Sequence, residues 1–137
     1  MMDKWQAQQA FWEGFGLTAY DELSVPDEIW DDELQKMVKV TMPYITYEAV
    51  VGDLGAQTTI SASLWYRSNS WAEISQKADQ IARQIALAEK PAIKIDNGFM
   101  KVRLPDGMPF AQRMDEPNDK QVRRIVLTVE IEFLTAF

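Results

Sequence analysis

The chain has 137 residues, 47% of them hydrophobic and 11% aromatic. That is enough for one domain to bury roughly two thirds of the surface its unfolded chain exposes, and too apolar for a disordered segment. It carries 21 carboxylates against 14 lysines and arginines, a net charge of −7, and has neither cysteine nor histidine. Those two absences exclude disulfides, thiolate and imidazole metal sites, cysteine nucleophiles, serine–histidine triads and histidine acid–base chemistry. The sign of the charge argues against binding duplex phosphates, which requires clustered cations.

No apolar run approaches the ~20 residues of a membrane span. The opening run MMDKWQAQQAFW lacks the uninterrupted apolar core of a secretory signal. Residues 4–15 predict a short helix with Trp5, Trp12 and Phe15 on one face, ended by Gly14 and Gly16. Residues 17–20 predict a short strand.

An unusual charge run follows. Asp21, Glu22, Asp27, Glu28, Asp31, Asp32 and Glu33 fall within thirteen positions that contain no lysine or arginine, and the remaining acids and bases balance. This one segment therefore accounts for the whole net charge. It is read as an acidic loop or insertion over residues 21–41. In it Asp27, Glu28, Asp31, Asp32 and Glu33 form either a docking surface or a solvated loop. The run DEIWDDELQ lacks the central glycine and the ligand spacing of a calcium loop. A magnesium nuclease pattern of the PD…ExK kind fails as well, because Glu33 is followed by Leu34 and Gln35 rather than by the required lysine.

Residues 42–85 are the most strongly patterned part. PYITYEAV and TTISASLWYRS read as two strands joined by a glycine-punctuated turn, with Ile60, Ala62, Leu64 and Tyr66 alternating against Thr59, Ser61, Ser63 and Trp65. A helix then begins at Ser70, with Glu73 placed to close a capping box. Trp71, Ile74, Ala78, Ile81, Ile85 and Ala88 make its apolar face; Gln76, Lys77, Gln80, Arg83 and Gln84 make the polar one. Such a helix covers a sheet on one side only.

Pro91 blocks continuation of that helix. Residues 92–95 and 99–104 predict a hairpin around Asp96-Asn97-Gly98, the Asn-Gly signal for a tight primed turn. Residues 105–119, PDGMPFAQRMDEPND, predict a loop with three prolines. Its Phe110 and Met114 either fold back over the core or, with Met108 and Arg113, form an intersubunit contact. Residues 122–134 predict a long strand with Ile125, Leu127, Val129, Ile131 and Phe133 on one face. Arg124, Val126, Thr128, Glu130 and Glu132 share the other, a mixed face suited to solvent or to another subunit. Arg123 and Arg124 point to opposite faces and make no single basic patch.

The elements imply an α+β fold: one domain over residues 1–137, a mixed, largely antiparallel sheet, two helices packed on one face and a β-hairpin, in the order α-β-β-β-α-β-β-β. Without histidine or cysteine, carboxylate, lysine, tyrosine or serine chemistry remains, and the enzyme candidate is a small carboxylate-based hydrolase. It needs two carboxylates about 5 to 10 Å apart in a concave pocket.

The runs LTAYDELSVPD, MPYITYEAVVGD, ISASLWYRSNSWAEISQKADQIARQI and GMPFAQRMDEPNDKQVRRIVLTVEIEFL, taken in order, resemble the tail-terminator, or tail-to-head joining, proteins of long-tailed phages and prophages of Gram-positive hosts. The resemblance covers residues 17–134 and rests on the order of the runs. It departs from the pattern at residues 28–41, EIWDDELQKMVKVT, which are longer than the usual link. The resemblance implies a structural protein with no catalytic, cofactor or metal site. It implies a ring, commonly a hexamer, that caps the tail tube and meets the head connector or stopper protein, in the virion tail and, during assembly, in the host cytoplasm. DNA would pass only as transiting cargo, and no membrane is involved. Met108, Phe110, Arg113, Met114 and Arg124 would then be interface residues, and the acidic segment would line the lumen or a docking surface. A head-completion or stopper role is the structural alternative.

Overall fold

A computed structural model describes residues 2–52, 55–87 and 92–135. Ala88 and Pro91, expected at the end of the central helix, lie outside them.

Helix α1 (Lys4–Glu13) opens with a capping box: Asp3 accepts the Gln6 N–H at 2.8 Å while the Gln6 side chain accepts the Asp3 N–H at 3.0 Å. The first strands follow as β1 (Ala19–Asp21), β2 (Glu28–Asp31), β3 (Lys36–Lys39), β4 (Tyr44–Tyr47) and β5 (Gln57–Arg67). Helix α2 (Ala72–Ala86) leads to β6 (Ile93–Ile95), β7 (Gly98–Arg103), β8 (Ala111–Met114) and β9 (Val122–Thr135). The class is α+β as expected, with three short strands, β2, β3 and β8, beyond those anticipated.

The main sheet runs β1-β4-β5-β9-β7-β6, all antiparallel except the β1–β4 pair, and β8 also pairs with β9. β9 is the spine: β5 lies along one edge, while β7 and β8 share the other, opposite its C-terminal and N-terminal halves. Its alternation puts Ile125, Leu127, Val129, Ile131 and Phe133 inward beside Ile60, Ala62 and Leu64 of β5 and Ile45 and Tyr47 of β4. Ile74, Ala78, Ile81 and Ile85 of α2 close over this face.

Helix α1 packs against both β1 and β6, the two ends of the strand order, so the sheet curls and α1 bridges the opening. The Gln9 side chain donates to Ala19 O at 2.8 Å on one side, and Asp96 N donates to Met2 O at 2.9 Å on the other. Phe11, Trp12 and Phe15 fill the gap, with edge-on contacts of Phe11 to both neighbours. Trp5 does not join them. It sits in the first turn, beyond the end of the core beside Asp96, Asn97 and Thr135, and is 54% exposed.

Two local expectations need correction. The Ser70–Glu73 box does not form, because the helix starts one residue late: Trp71 occupies the cap position, Glu73 becomes the second helical residue, and the Ser70 hydroxyl accepts the Ala72 N–H at 3.0 Å instead. The turn of the β6–β7 hairpin is Asp96-Asn97, with Asn97 at φ +65°, and Gly98 already belongs to the strand. Glycine is required there for another reason. A Cβ would lie 2.0 Å from Leu134 O, inside the β7–β9 ladder.

Tyr47, buried at the α1 edge, donates its hydroxyl proton to Gln9 Oε1. Burial, reinforced by the nearby Asp21 and Glu13 carboxylates, pushes its pKa up to about 12. An unfolded phenol ionises near 10, so the stability held in the neutral form is complete below pH 10 and is lost as pH rises toward 12. Tyr47→Phe should cost about 1–2 kcal/mol below pH 10 by stranding the Gln9 acceptor. The deficit relative to wild type should shrink between pH 10 and 12, as measured by denaturant unfolding. Leu127→Ala, at a fully buried position of the spine, should cost about 2–5 kcal/mol in the same measurement.

Candidate functional site

The acidic segment is not a loop. β2 and β3 form a separate two-stranded antiparallel arm with Glu28 opposite Lys39, Ile29 opposite Val38, Trp30 opposite Met37 and Asp31 opposite Lys36. Its strands pair only with each other, and a Val40 N to Asp27 O hydrogen bond of 2.9 Å closes its base. The cross-strand pairs explain why the segment folds this way: two apolar pairs, Ile29–Val38 and Trp30–Met37, lie between two of opposite charge, Glu28–Lys39 and Asp31–Lys36, and pairs of both kinds stabilise a hairpin. At the tip, Asp31 accepts the Glu33 and Leu34 N–H groups at 2.9 and 3.1 Å, and Asp32 accepts the Trp30 indole N–H at 2.8 Å. Gln35 takes the left-handed conformation that ends the turn, at φ +53°.

Five carboxylates on the arm thus face only two lysines. Asp31 and Asp32 have local structural work, whereas Asp27, Glu28 and Glu33 are exposed. Ile29, Trp30, Leu34 and Met37 are between 41% and 58% exposed, on both faces of the arm. An isolated hairpin is marginal in water, and this one leaves most of its apolar surface uncovered.

A second unusual surface lies where β8, the start of β9 and the start of α2 meet, across β5 and β9 from β1 and β4, the strands that the arm connects. The expected loop over residues 105–119 is partly strand. Gln112 faces Val126 and Met114 faces Arg124, and Thr128 N donates to Phe110 O at 2.7 Å. The prolines bracket this strand rather than dissolve it, and four residues are too few for alternation to announce it. Phe110 packs against the core, so it folds back as a lid, while Met108 is exposed.

Arg113 and Arg123 both stack on the Trp71 indole, with guanidinium carbons 4.9 and 5.2 Å from the ring centroid. Among the described residues neither arginine has a carboxylate within ion-pair distance. Arg113 reaches only the Ser75 hydroxyl, at 3.4 Å; Arg123 donates to Asn69 O at 3.1 Å, and its Nε is buried without a partner. Trp71, Met114, Asp115, Glu116, Lys120 and Arg123 line a cleft of about 470 Å³ at this place, and Arg113 stands at its edge, beside Trp71 in a neighbouring pocket with Ser75 and Asp79.

Arg124 is separated from this cleft, as opposite faces of a strand demand. It lies on the outer face, stacked on Trp65 at 4.8 Å, bonded to the Ser63 hydroxyl at 3.1 Å and paired with Glu116 at 3.5 Å. A row of aromatic and polar groups continues outward: Trp65 donates to the Thr46 hydroxyl at 2.9 Å, and Tyr44 meets Tyr20 edge-on. The five proposed interface residues therefore divide among a core lid (Phe110), an exposed tip (Met108), the cleft (Met114), its edge beside Trp71 (Arg113) and the outer face (Arg124). The sequence reading missed Trp71 as a cation platform, since its helical spacing marked it as core.

Among the described residues no three carboxylates lie close enough to hold a metal ion, and no helix is long and apolar enough to cross a membrane. Comparison with family models and with curated proteins found no match for the chain.

Because the base of the arm is already closed by a hydrogen bond, it is separable from the fold. Replacing residues 28–39 with a two-residue Asn-Gly turn should leave a cooperatively folded protein, its Tm within about 4 °C of wild type by thermal unfolding, the shift that ~1 kcal/mol produces in a domain of this size.

Proposed function

We propose that the chain is a structural ring protein of a long-tailed phage or prophage, a tail terminator that caps the tail tube and meets the head connector. The observation that carries this reading is the pairing of a curled core with two unsatisfied surfaces, the acidic arm inserted between β1 and β4 and the arginine–tryptophan cleft beside β8. Two different patches that satisfy each other make a heterologous contact, and repetition of such a contact closes into a ring when the rotation permits. The order of sequence runs over residues 17–134 supplies the class of assembly.

The charge suits this role. A ring that DNA must traverse benefits from a surface that does not hold phosphate, and the arm with the turn before it, seven carboxylates against two lysines, carries −5 of the net −7. The outer face, with Arg103 between Glu130 and Glu132 at 3.5 and 3.8 Å, is a balanced polar surface fit to meet tube or connector protein.

Native mass measurement together with negative-stain imaging on tail tubes assembled without a terminator tests the proposal. Closed rings, commonly of six copies, should appear in solution or at tube ends. A chain that stays monomeric and ignores tubes would overturn it, and binding to portal or adaptor rings instead would assign a stopper role at the head.

A further inference from the structure

We propose that the arm of one copy seats in the Trp71 cleft of the next, its tip carboxylates lying between Arg113 and Arg123. The inference rests on the ring reading and deepens it by naming the surfaces that meet.

The cleft asks for an anion. Its two guanidinium groups are each about 5 Å from the same ring, hence no further than about 10 Å from each other. Like charges at that separation near a protein surface repel by on the order of 1 kcal/mol. Stacking on the indole offsets part of this, but neither group has a carboxylate partner among the described residues, and the buried Arg123 Nε has no acceptor. Of the nearby acids, Glu116 is committed to Arg124 and Asp119 to Arg67, while Asp115 at the cleft rim and Asp79 beside Arg113 stay beyond ion-pair distance of both guanidinium groups. Asp119 is held below its ordinary pKa by the Gln121 N–H and by Arg67, so it stays ionised in its own pair.

The arm asks for a cation and an apolar wall. Asp32 and Glu33 at its tip face no lysine in register, because Lys36 and Lys39 lie opposite Asp31 and Glu28. Trp30 and Leu34, both more than half exposed, flank those carboxylates, and the cleft offers Trp71 and Met114 beside Arg123, with Arg113 on Trp71 at its edge. Charge and apolarity therefore match on both sides. A second copy is the occupant because this chain itself carries the complementary segment, and the strands that segment connects, β1 and β4, are separated from β8 by β5 and β9.

The chain has no native cysteine, which makes cross-linking between copies a clean test. Leu34→Cys at the tip and Asp115→Cys at the exposed cleft rim leave the tip carboxylates, Trp30, Trp71 and both arginines in place. Mixed, the two full-length variants should form a disulfide dimer at least about tenfold faster than Leu34→Cys mixed with Lys94→Cys on β6, as expected when docking raises local thiol concentration. Adding Arg113→Glu to the rim variant should return the rate to that of the control, and adding Glu33→Lys to the tip variant should restore it. Both added positions are exposed, and circular dichroism confirms folding of each variant. Rings that form while the Leu34–Asp115 pair reacts only at the control rate would overturn this contact and leave the ring reading intact. A chain that forms no ring even on tail tubes would overturn both.

Discussion

The pairing of β5 with β9 along the whole of β5, from Gln57 opposite Glu132 to Arg67 opposite Val122, orients the rest of the molecule. A strand has period two, so this register commits Ile60, Ala62, Leu64 and every odd residue of β9 from Ile125 to Phe133 to one face. A slip of one residue would turn all of them to solvent. With that face fixed, α2 has one place to bury Ile74, Ala78 and Ile81. The curl of the sheet then leaves a gap that α1 bridges with Phe11, Trp12 and Phe15. The same alternation sends Arg123 inward to Trp71 and Arg124 outward to Trp65. Two neighbouring residues of like charge thereby serve two unrelated surfaces.

Against this saturated core, the arm and the cleft are exceptions of opposite sign. The core buries its apolar side chains and pairs its ladders, while the arm exposes Ile29, Trp30, Leu34 and Met37, and the two arginines on Trp71 have no carboxylate within ion-pair distance among the described residues. Local violations of otherwise consistent rules are where function is expected. They also explain how a chain with no histidine, no cysteine and no metal-sized carboxylate cluster among its described residues can be specific. Its specificity would lie in which surfaces it leaves open.

Most of the core was legible in the sequence because long elements repeat their signal. Five alternations on β9 and four helical steps on α2 outweigh any single residue. The short elements were not. EIWD and KMVK each hold only four residues, and their opposition depends on a four-residue turn held by Asp31, so the dense acids read as a loop. AQRM between prolines was hidden for the same reason. Helix starts were ambiguous by one residue: Ser70 and Glu73 carry a capping box spacing, yet Trp71 takes the cap position, while Asp3 and Gln6 carry the same spacing and form the box. The cleft was not legible at all. Trp71, Arg113 and Arg123 are far apart in sequence and meet only because β8 pairs with β9 beside the start of α2.

The central claim is that the arm is unsupported in the single chain and becomes supported by a neighbour. Amide hydrogen exchange of residues 28–31 and 36–39, compared between dilute protein and assembled rings, addresses it most directly. The account predicts that these amides exchange far faster than those of β5 and β9 in the dilute chain and become protected in the ring. Arm amides already as protected as the core in the dilute chain, or unchanged by assembly, would contradict it.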